Sequence, residues 1–205
     1  MILKGLTVNF KGVVSLIIIT AIAFMIFIIA SGSKGVESDK TTNKTGMEKA
    51  YFASGCFWGT EYHFMKAKGV VATTAGYMGG NTFAPTYKEV CTGMTGHVET
   101  VEVEFDPSLT SFEEMLKLYY ETHDFEQVGG QGPDIGEQYQ SVVFYVDDNQ
   151  KQMVEKYIKL LTEKGYKVAT QLRPAPEFWA AEDYHQEYYQ KKNGTPYCHA
   201  YKKIF

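Results

Sequence analysis

An uncharged, apolar run at residues 13–30 limits how this chain can fold more than any other feature of its sequence. As a helix, its eighteen residues would be about 27 Å long, close to the ~30 Å hydrocarbon thickness of a bilayer. Lys4 and Lys11 precede the run, and positive charge on that side favours a cytoplasmic N-terminus with the rest of the chain exported. The run therefore predicts a membrane anchor in front of an extracytoplasmic domain.

Two other interpretations of the run are a cleaved signal peptide and a buried core helix. If the run is a signal peptide, the cleavage site of the secreted protein would lie among the small residues Ala30, Ser31, Gly32 and Ser33. The run is long for a signal peptide, and it lacks the polar face of an amphipathic helix. We divide the chain into a cytoplasmic N-terminus (1–12), a transmembrane anchor or signal segment (13–30), a flexible polar linker (31–46) and one folded domain (47–205).

The overall composition is that of a globular protein. Hydrophobic residues make up 44% of the 205 residues, which is more than a disordered chain contains. The formal net charge of −4 argues against a nucleic-acid-binding protein, which usually carries a basic face. The three cysteines are too few for a disulfide scaffold, and the five histidines lack metal-ligand spacing with them. We therefore expect a monomer without a metal, a cofactor or a nucleic-acid partner.

Strand and helix patterns alternate over residues 47–205 and predict an α+β fold. The clearest strand is VETVEVEF at residues 98–105, where apolar side chains alternate with glutamates. The order strand–helix–strand–strand–helix–strand predicts a ferredoxin-like split βαβ core, a mixed sheet with helices on one face. The predicted strands are residues 48–53, 70–77, 98–105, 141–146 and 167–171, and the predicted helices are residues 57–67, 111–122, 147–164 and 182–192.

The segment GCFWGTE at residues 55–61 places Cys56 between a predicted strand and a predicted helix. Free backbone N–H groups and the helix dipole at such a position favour a thiolate, the form in which cysteine acts as a nucleophile. The aromatic residues Phe57 and Trp58 follow it directly. Most unpaired cysteines are small buried apolar residues, so a purely structural role is the alternative for Cys56.

Five more motifs follow the cysteine segment in a fixed order. They are AGYMGG (75–80), PTYKEVC (85–91), TGHVE (95–99), a spaced pattern from His123 to Ser141, and AEDYHQ (181–186). Together with GCFWGTE, this series resembles the peptide methionine sulfoxide reductase A family over residues 48–198. The resemblance implies thiol-dependent reduction of methionine S-sulfoxide, free or in oxidised proteins, to methionine, which repairs oxidative damage.

The resemblance implies a role for each residue around the cysteine. Cys56 corresponds to the nucleophile that attacks the sulfoxide sulfur and becomes a sulfenic acid. Phe57 and Trp58 resemble the walls of a pocket for the S-methyl group, which suits aromatic faces because it is apolar and polarizable. Glu99 resembles the acid that protonates the sulfoxide oxygen. From the residues alone, a glutamate on an alternating strand more often belongs to a solvated face, unless an aromatic pocket desolvates it and raises its pKa.

Three polar residues complete the implied substrate site. Tyr87 and Tyr139 resemble hydroxyl groups that hydrogen-bond the sulfoxide oxygen, and Asp134 resembles a carboxylate that orients the site. Tyrosine is abundant in this chain, at 15 residues, so a core or rim position is the alternative for each tyrosine. Asp134 follows a proline in a glycine-rich segment, where an ordinary turn residue is the alternative.

The other two cysteines lead to different predictions. Cys198 lies in a C-terminal segment that we expect to be mobile, and it resembles the recycling cysteine of family members that carry only one. It would attack the sulfenic acid to form a Cys56–Cys198 disulfide, with thioredoxin or a thioredoxin-like protein as the reductant. His199 would lower the pKa of Cys198 or be an ordinary tail residue. Cys91 lies in a predicted helix, where we expect it to be buried and inert.

Two other functions remain open on the sequence. Cys56 with His97 or His185 would suit a cysteine hydrolase or acyltransferase, but such an enzyme has no use for a second reactive thiol such as Cys198. A membrane-tethered module whose aromatic pocket binds a peptide is the other candidate. A Cys56 thiol that is inert toward thiol reagents would favour the binding module.

Overall fold

A mixed β-sheet forms the centre of the folded domain in the computed structural model, which describes residues 46–205. The described strands are β1 (Glu48–Ser54), β2 (Val70–Met78), β3 (Val98–Phe105), β4 (Gly130–Gln131), β5 (Asp134–Ile135), β6 (Ser141–Tyr145), β7 (Gln171–Pro174) and β8 (Phe178–Ala180). Six of them form one sheet in the order β7-β6-β1-β3-β2-β8. Only the β6–β7 pair of this sheet is parallel, and β4 and β5 form a separate two-stranded ribbon.

Helices cover one face of this sheet. They are α1 (Phe57–Phe64), α2 (Tyr87–Val90), α3 (Phe112–Thr122), α4 (Asp148–Glu163) and α5 (Tyr188–Lys192), with a 3₁₀ turn at Glu137–Tyr139. Buried side chains of α1, α3 and α4 join those of β1 and β3 in one large core, whereas a smaller apolar cluster lies around Phe144 and Met78. The predicted α+β class, a mixed sheet with helices, is confirmed.

The alternating pattern of residues 98–105 explains why this strand lies in the middle of the sheet. Val101, Val103 and Phe105 are fully buried in the large core, while Glu102 and Glu104 keep partial exposure. The Glu102 carboxylate pairs with the Lys49 ammonium of the adjacent β1 at 3.0 Å. Burial of each large apolar side chain contributes roughly 1.5–3 kcal/mol, so the apolar face decides which way the strand lies.

The predicted starts of two helices are confirmed by their caps. The Ser111 hydroxyl accepts a hydrogen bond from the backbone N–H of Glu114 at 3.3 Å at the start of α3. Asp147 caps α4 in the same way, accepting from the backbone N–H of Gln150 at 2.8 Å. Such caps satisfy N–H groups that have no partner within the helix.

Three predicted elements differ from the structure by more than two residues, and the first is the helix predicted at residues 57–67, which ends at Phe64. The strand predicted at residues 167–171 instead begins at Gln171 and continues to Pro174. The helix predicted at residues 182–192 is helical only over Tyr188–Lys192. The Gln186 side chain is engaged elsewhere, since its amide group hydrogen-bonds both backbone groups of Ala75 in β2. Glu187, at φ 54°, then adopts a left-handed conformation that interrupts any helix.

Cys91 also differs from its prediction. The helix α2 is a single short turn, and Cys91 is its exposed C-terminal cap rather than a buried helical residue. A capping box at the other end, between Thr86 and Glu89, holds the turn in place. The expectation that this cysteine is buried was therefore wrong.

The predicted membrane segment at residues 13–30 lies outside the described residues. The same holds for the predicted N-terminal segment 1–12 and for all but the last residue of the predicted linker 31–46. Within residues 46–205, none of the helices has the length and apolar character needed to cross a membrane.

Candidate active site

Cys56 lies at the junction between β1 and α1. Its carbonyl oxygen accepts hydrogen bonds from the backbone N–H groups of Gly59 and Thr60 at 3.1 and 3.3 Å, so it begins the helix as the N-cap residue. Gly55 turns the chain before it with φ at +92°, and a Cβ at this position would lie 2.3 Å from the Cβ of Gln131. Both the backbone conformation and the crowding therefore require glycine beside Cys56.

The thiol of Cys56 is buried, with 8% of the residue exposed. Burial raises its pKa well above the usual cysteine range, and the nearby charge of Glu99 raises it further, while a hydrogen bond from the backbone N–H of Trp58 lowers it. Burial thus opposes the thiolate that a helix N-terminus favours. Desolvation disfavours the charged form more strongly than one short helix favours it.

Glu99, near the start of β3, is 1% exposed rather than solvated. Its carboxyl group accepts a hydrogen bond from the backbone N–H of Phe57, the residue after Cys56, at 3.0 Å. Burial raises the pKa of Glu99 to about 8, outweighing the Phe57 hydrogen bond, which lowers it. A carboxyl group next to the buried thiol is consequently protonated near neutral pH.

Aromatic rings pack together next to this carboxyl–thiol pair, beginning with Phe57, the residue after Cys56. Phe57 is buried, and its ring centroid lies 4.9 Å from that of His185 and 6.4 Å from that of Tyr87. Trp58 stacks on Tyr188 with 3.6 Å between ring centroids and 5° between planes. Its indole N–H donates to Nδ1 of His185 at 3.0 Å, which fixes the orientation of the indole.

The three polar residues of the predicted site lie around the same carboxyl and thiol groups. Burial and then the charge of Glu99 raise the pKa of Tyr139 to about 12, with a smaller effect from Cys56. The pKa of Tyr87 is raised mainly by burial, then by its hydrogen bond with Cys91 and by Glu99. The charge of Asp134, on the short strand β5, acts on both Cys56 and Glu99.

Cys198 is half-buried beside the same group of residues. A Cβ at Gly132, in the turn between β4 and β5, would lie 3.4 Å from the Cβ of Cys198. The preceding residue, Tyr197, donates its hydroxyl to both oxygens of Asp134 at 3.0 and 3.1 Å. Cys56 and Cys198 act on each other electrostatically, and both are free thiols here. The C-terminal segment, expected to be mobile, is held at the site by specific contacts.

Glu182 and Gln186 are supporting residues that sequence reasoning did not single out, although the AEDYHQ motif contains both. The Glu182 carboxylate accepts from the backbone N–H of Tyr87 at 2.9 Å and from the hydroxyl of Tyr77 at 2.8 Å. Gln186 ties the same segment to β2 through Ala75. The motif thus holds the aromatic wall in position, and its resemblance to the family was the signal that could have found it.

The two histidines that a hydrolase would use are engaged elsewhere. His97 accepts from the backbone N–H of Gly80 at 3.1 Å and donates to the carbonyl oxygen of Thr82 at 2.9 Å, so both ring nitrogens stabilise a loop. His185 accepts from Trp58 through Nδ1. In the part of the chain that the structure describes, no three His, Cys, Asp or Glu side chains are grouped to hold a metal ion.

Comparison with known proteins identifies the family. A family described as peptide methionine sulfoxide reductase matches residues 48–204. The peptide methionine sulfoxide reductase MsrA of Sulfolobus acidocaldarius is 46% identical over 153 residues, which are 74% of this chain and 87% of the relative. That of Methanothermobacter thermautotrophicus is 47% identical over 147 residues, covering 70% of this chain and 87% of the relative.

A solved structure gives the same result. The reduced form of Mxr1 from Saccharomyces cerevisiae superposes with a TM-score of 0.72 at 30% identity, covering 78% of this chain and 94% of that one. The fold and these relatives agree on the family. The chain belongs to the peptide methionine sulfoxide reductase family, whose members are oxidoreductases.

Proposed function

We propose that this reductase converts methionine S-sulfoxide, free or in oxidised proteins, to methionine by attack of Cys56 on the sulfoxide sulfur. The observation that carries the proposal is the buried Glu99 carboxyl group, which binds the backbone N–H of the residue after Cys56 at 3.0 Å. An acid and a thiol are thereby held beside an aromatic wall of Phe57 and Trp58. That wall suits the S-methyl group of the substrate.

The acid in this reaction is Glu99. Its pKa of about 8 keeps the carboxyl group protonated near neutral pH, so it can give a proton to the sulfoxide oxygen as Cys56 attacks. The thiol proton of Cys56 returns to the carboxylate, and the oxygen is transferred to the cysteine sulfur. Methionine leaves, and Cys56 becomes a sulfenic acid. In this scheme Tyr87 and Tyr139 hydrogen-bond the oxygen, and Asp134 orients the site.

Recycling of the enzyme uses the second thiol of the site. A sulfenic acid condenses with a nearby thiol to give a disulfide and water. Cys198, held beside Asp134 and Cys56, would form this disulfide with Cys56. A dithiol reductant then has to reduce the Cys56–Cys198 disulfide by exchange, which suits thioredoxin or a thioredoxin-like protein.

A direct assay tests the proposed activity. The full chain would be incubated with dithiothreitol and each sulfoxide epimer of a blocked methionine in turn, and methionine formation would be measured. We expect turnover of the S epimer alone, as the family resemblance implies. Turnover of the R epimer only, or of neither epimer, would contradict the proposal.

Glu99→Gln should slow the first chemical step strongly near neutral pH. Removing a general acid costs roughly 10²–10⁴-fold in rate, and the loss should shrink at low pH, where solvent supplies protons. In the wild type, the same step should slow as the pH rises through about 8, because Glu99 then loses its proton. The measurement is methionine formed in a single turnover between about pH 5 and 9. A variant rate within about twofold of wild type would exclude Glu99 as the acid.

The same raised pKa predicts a difference in stability. Between the ordinary glutamate value of 4.5 and about 8, the folded protein binds a proton at Glu99 that the unfolded chain does not bind. The stabilisation that this proton gives is complete below pH 4.5 and is lost as the pH rises through about 8. The free energy of unfolding, measured with denaturant, should fall in the wild type as the pH rises through about 8. Glu99→Gln should lack this pH-dependent loss.

We also propose that the catalytic domain is monomeric, exported and anchored by the apolar run at residues 13–30. Export and anchoring are proposed from that run and from the lysines in front of it. Protease added to intact spheroplasts should therefore digest the domain, while a cytosolic control enzyme stays intact. Full protection of the domain, with the protein in the cytosolic fraction, would contradict the anchor.

For the fold we propose the finer assignment of a ferredoxin-like split βαβ core. It is supported by the order β6-β1-β3-β2 within the sheet, in which β3 separates β1 from β2 and is antiparallel to both. The strands β7 and β8 then extend this core at its two edges.

A further inference from the structure

His199, next to the recycling cysteine, lies in a slot on α1. Only 4% of the residue is exposed. The slot exists because residue 59 is a glycine: a Cβ at Gly59 would lie 2.2 Å from Nδ1 of His199. His63 of the same helix adds a contact from its ring to the carbonyl oxygen of His199 at 3.4 Å. A tail residue that followed Cys198 without a role would not need this fitted position.

The hydrogen bonds of the ring determine where its proton is. Nε2 lies 2.7 Å from the carbonyl oxygen of Ser54, and a carbonyl oxygen can only accept, so Nε2 carries the proton. In a neutral imidazole the other nitrogen, Nδ1, is then an acceptor. Nδ1 lies 3.1 Å from Sγ of Cys198. The thiol can therefore donate its proton to Nδ1, and the Asp134 carboxylate is a second hydrogen-bond partner of the same thiol.

The surroundings keep this ring neutral. Burial first, and then the neighbouring His123 and His63, lower the pKa of His199 to about 3. The pKa of Cys198 is raised to about 12, by burial first and then by the carboxylate of Asp134. The resting recycling group is therefore a thiol that must lose its proton during attack.

We infer that His199 is a positioning and proton-accepting residue for the recycling step. The inference rests on the proposed role of Cys198. As the sulfur of Cys198 attacks the sulfur of Cys56, the S–H bond of Cys198 and the S–O bond of Cys56 break and the S–S bond forms. The thiol proton moves toward Nδ1 of His199 in concert with protonation of the departing hydroxide, so water leaves and no charged imidazolium builds up in the slot.

Asp134 is the other acceptor that faces the Cys198 thiol, and it suits this task less well. Its two oxygens already accept from the hydroxyl of Tyr197. Its negative charge also disfavours the thiolate that develops on Cys198 during attack, as the raised pKa of that thiol reflects. A neutral acceptor lacks this repulsion, and Nδ1 of His199 is the neutral acceptor present.

The experiment compares two rates in the same variants of the full chain. The first is methionine formation in a single turnover without reductant, and the second is formation of the Cys56–Cys198 disulfide. Rapid quench and mass spectrometry measure the disulfide over time. His199→Gln keeps a donor for the Ser54 carbonyl but has no acceptor at the Nδ1 position. Gly59→Ala keeps the imidazole but removes its space. In both variants we expect disulfide formation to slow by at least about tenfold and methionine formation to stay within about twofold.

The controls separate this inference from the proposed function. Lys203→Ala, an exposed change in the same tail, should leave both rates unchanged. Disulfide formation within about twofold of wild type in both His199→Gln and Gly59→Ala would overturn the inference. Equal slowing of both rates would also overturn it, because His199 would then support the fold alone. If Cys56 still formed an intramolecular disulfide in Cys198→Ser, another cysteine would be its partner. That result would refute the resolving role of Cys198, whatever the His199 variants show.

Discussion

Cys56→Ser should abolish reductase activity while the protein remains folded. A serine hydroxyl is a far weaker nucleophile than a cysteine sulfur, and an oxygen in this position cannot become the sulfenic acid that the reaction requires. We expect the loss to be on the order of a thousandfold or more, as when other enzymes lose their covalent nucleophile. Stability should change little, because serine is close to cysteine in size and the main-chain caps of α1 stay in place.

Two measurements check this result. Methionine formation with dithiothreitol gives the activity, and thermal unfolding shows whether the variant is folded. Cys91→Ser is the matched control, since it removes the exposed thiol of the domain and should retain activity. If a folded Cys56→Ser variant kept more than about a tenth of wild-type activity, Cys56 would not be the nucleophile.

Elements whose signals are local could be predicted from the sequence. The strand β3 was predicted with its observed bounds, because apolar residues recur along it and Val101, Val103 and Phe105 alternate with glutamates. The helix starts at Ser111 and Asp147 were predicted because a cap acts within three residues. Both signals depend on neighbours along the chain, so no knowledge of the fold was needed.

Elements determined by distant contacts could not be predicted in this way. Residues 182–187 read as part of an amphipathic helix, yet Gln186 bonds the edge of β2 and the backbone of Glu187 bonds the Glu61 carboxylate at 2.7 Å. These contacts join positions more than a hundred residues apart in the chain. They outweigh helix propensity, which amounts to less than about 1 kcal/mol per residue.

The candidate site shows the same division. The positions of Cys56, Glu99 and Cys198 came from the order of the motifs, and the structure brings the three together. Their protonation states could not be read from the sequence. The helix dipole at Cys56 is a local signal, whereas the burial that raises the pKa of Cys56 and of Glu99 exists only once β3 lies beneath the start of α1.

Cys198→Ser should separate the chemistry of reduction from the recycling of the enzyme. The first turnover needs only the thiol of Cys56, the acid Glu99 and the aromatic pocket, so one methionine per enzyme should still form. Without Cys198, a thioredoxin-type reductant finds no disulfide to reduce, and steady turnover with it should collapse. Dithiothreitol is small enough to attack the sulfenic acid directly, so activity with dithiothreitol should largely persist.

The test for this variant is a set of rates rather than a single activity. Methionine formed in one turnover, the steady-state rate with each reductant, and trapping of the sulfenic acid by a selective reagent should all be measured. Cys91→Ser again serves as the control and should recycle with thioredoxin, because the exposed Cys91 thiol takes no part in the proposed scheme. If thioredoxin-driven turnover survived in Cys198→Ser but failed in the double variant with Cys91→Ser, the exposed Cys91 thiol would be the resolving group. In that case the contacts of Tyr197 and His199 would hold a segment that has no role in the reaction.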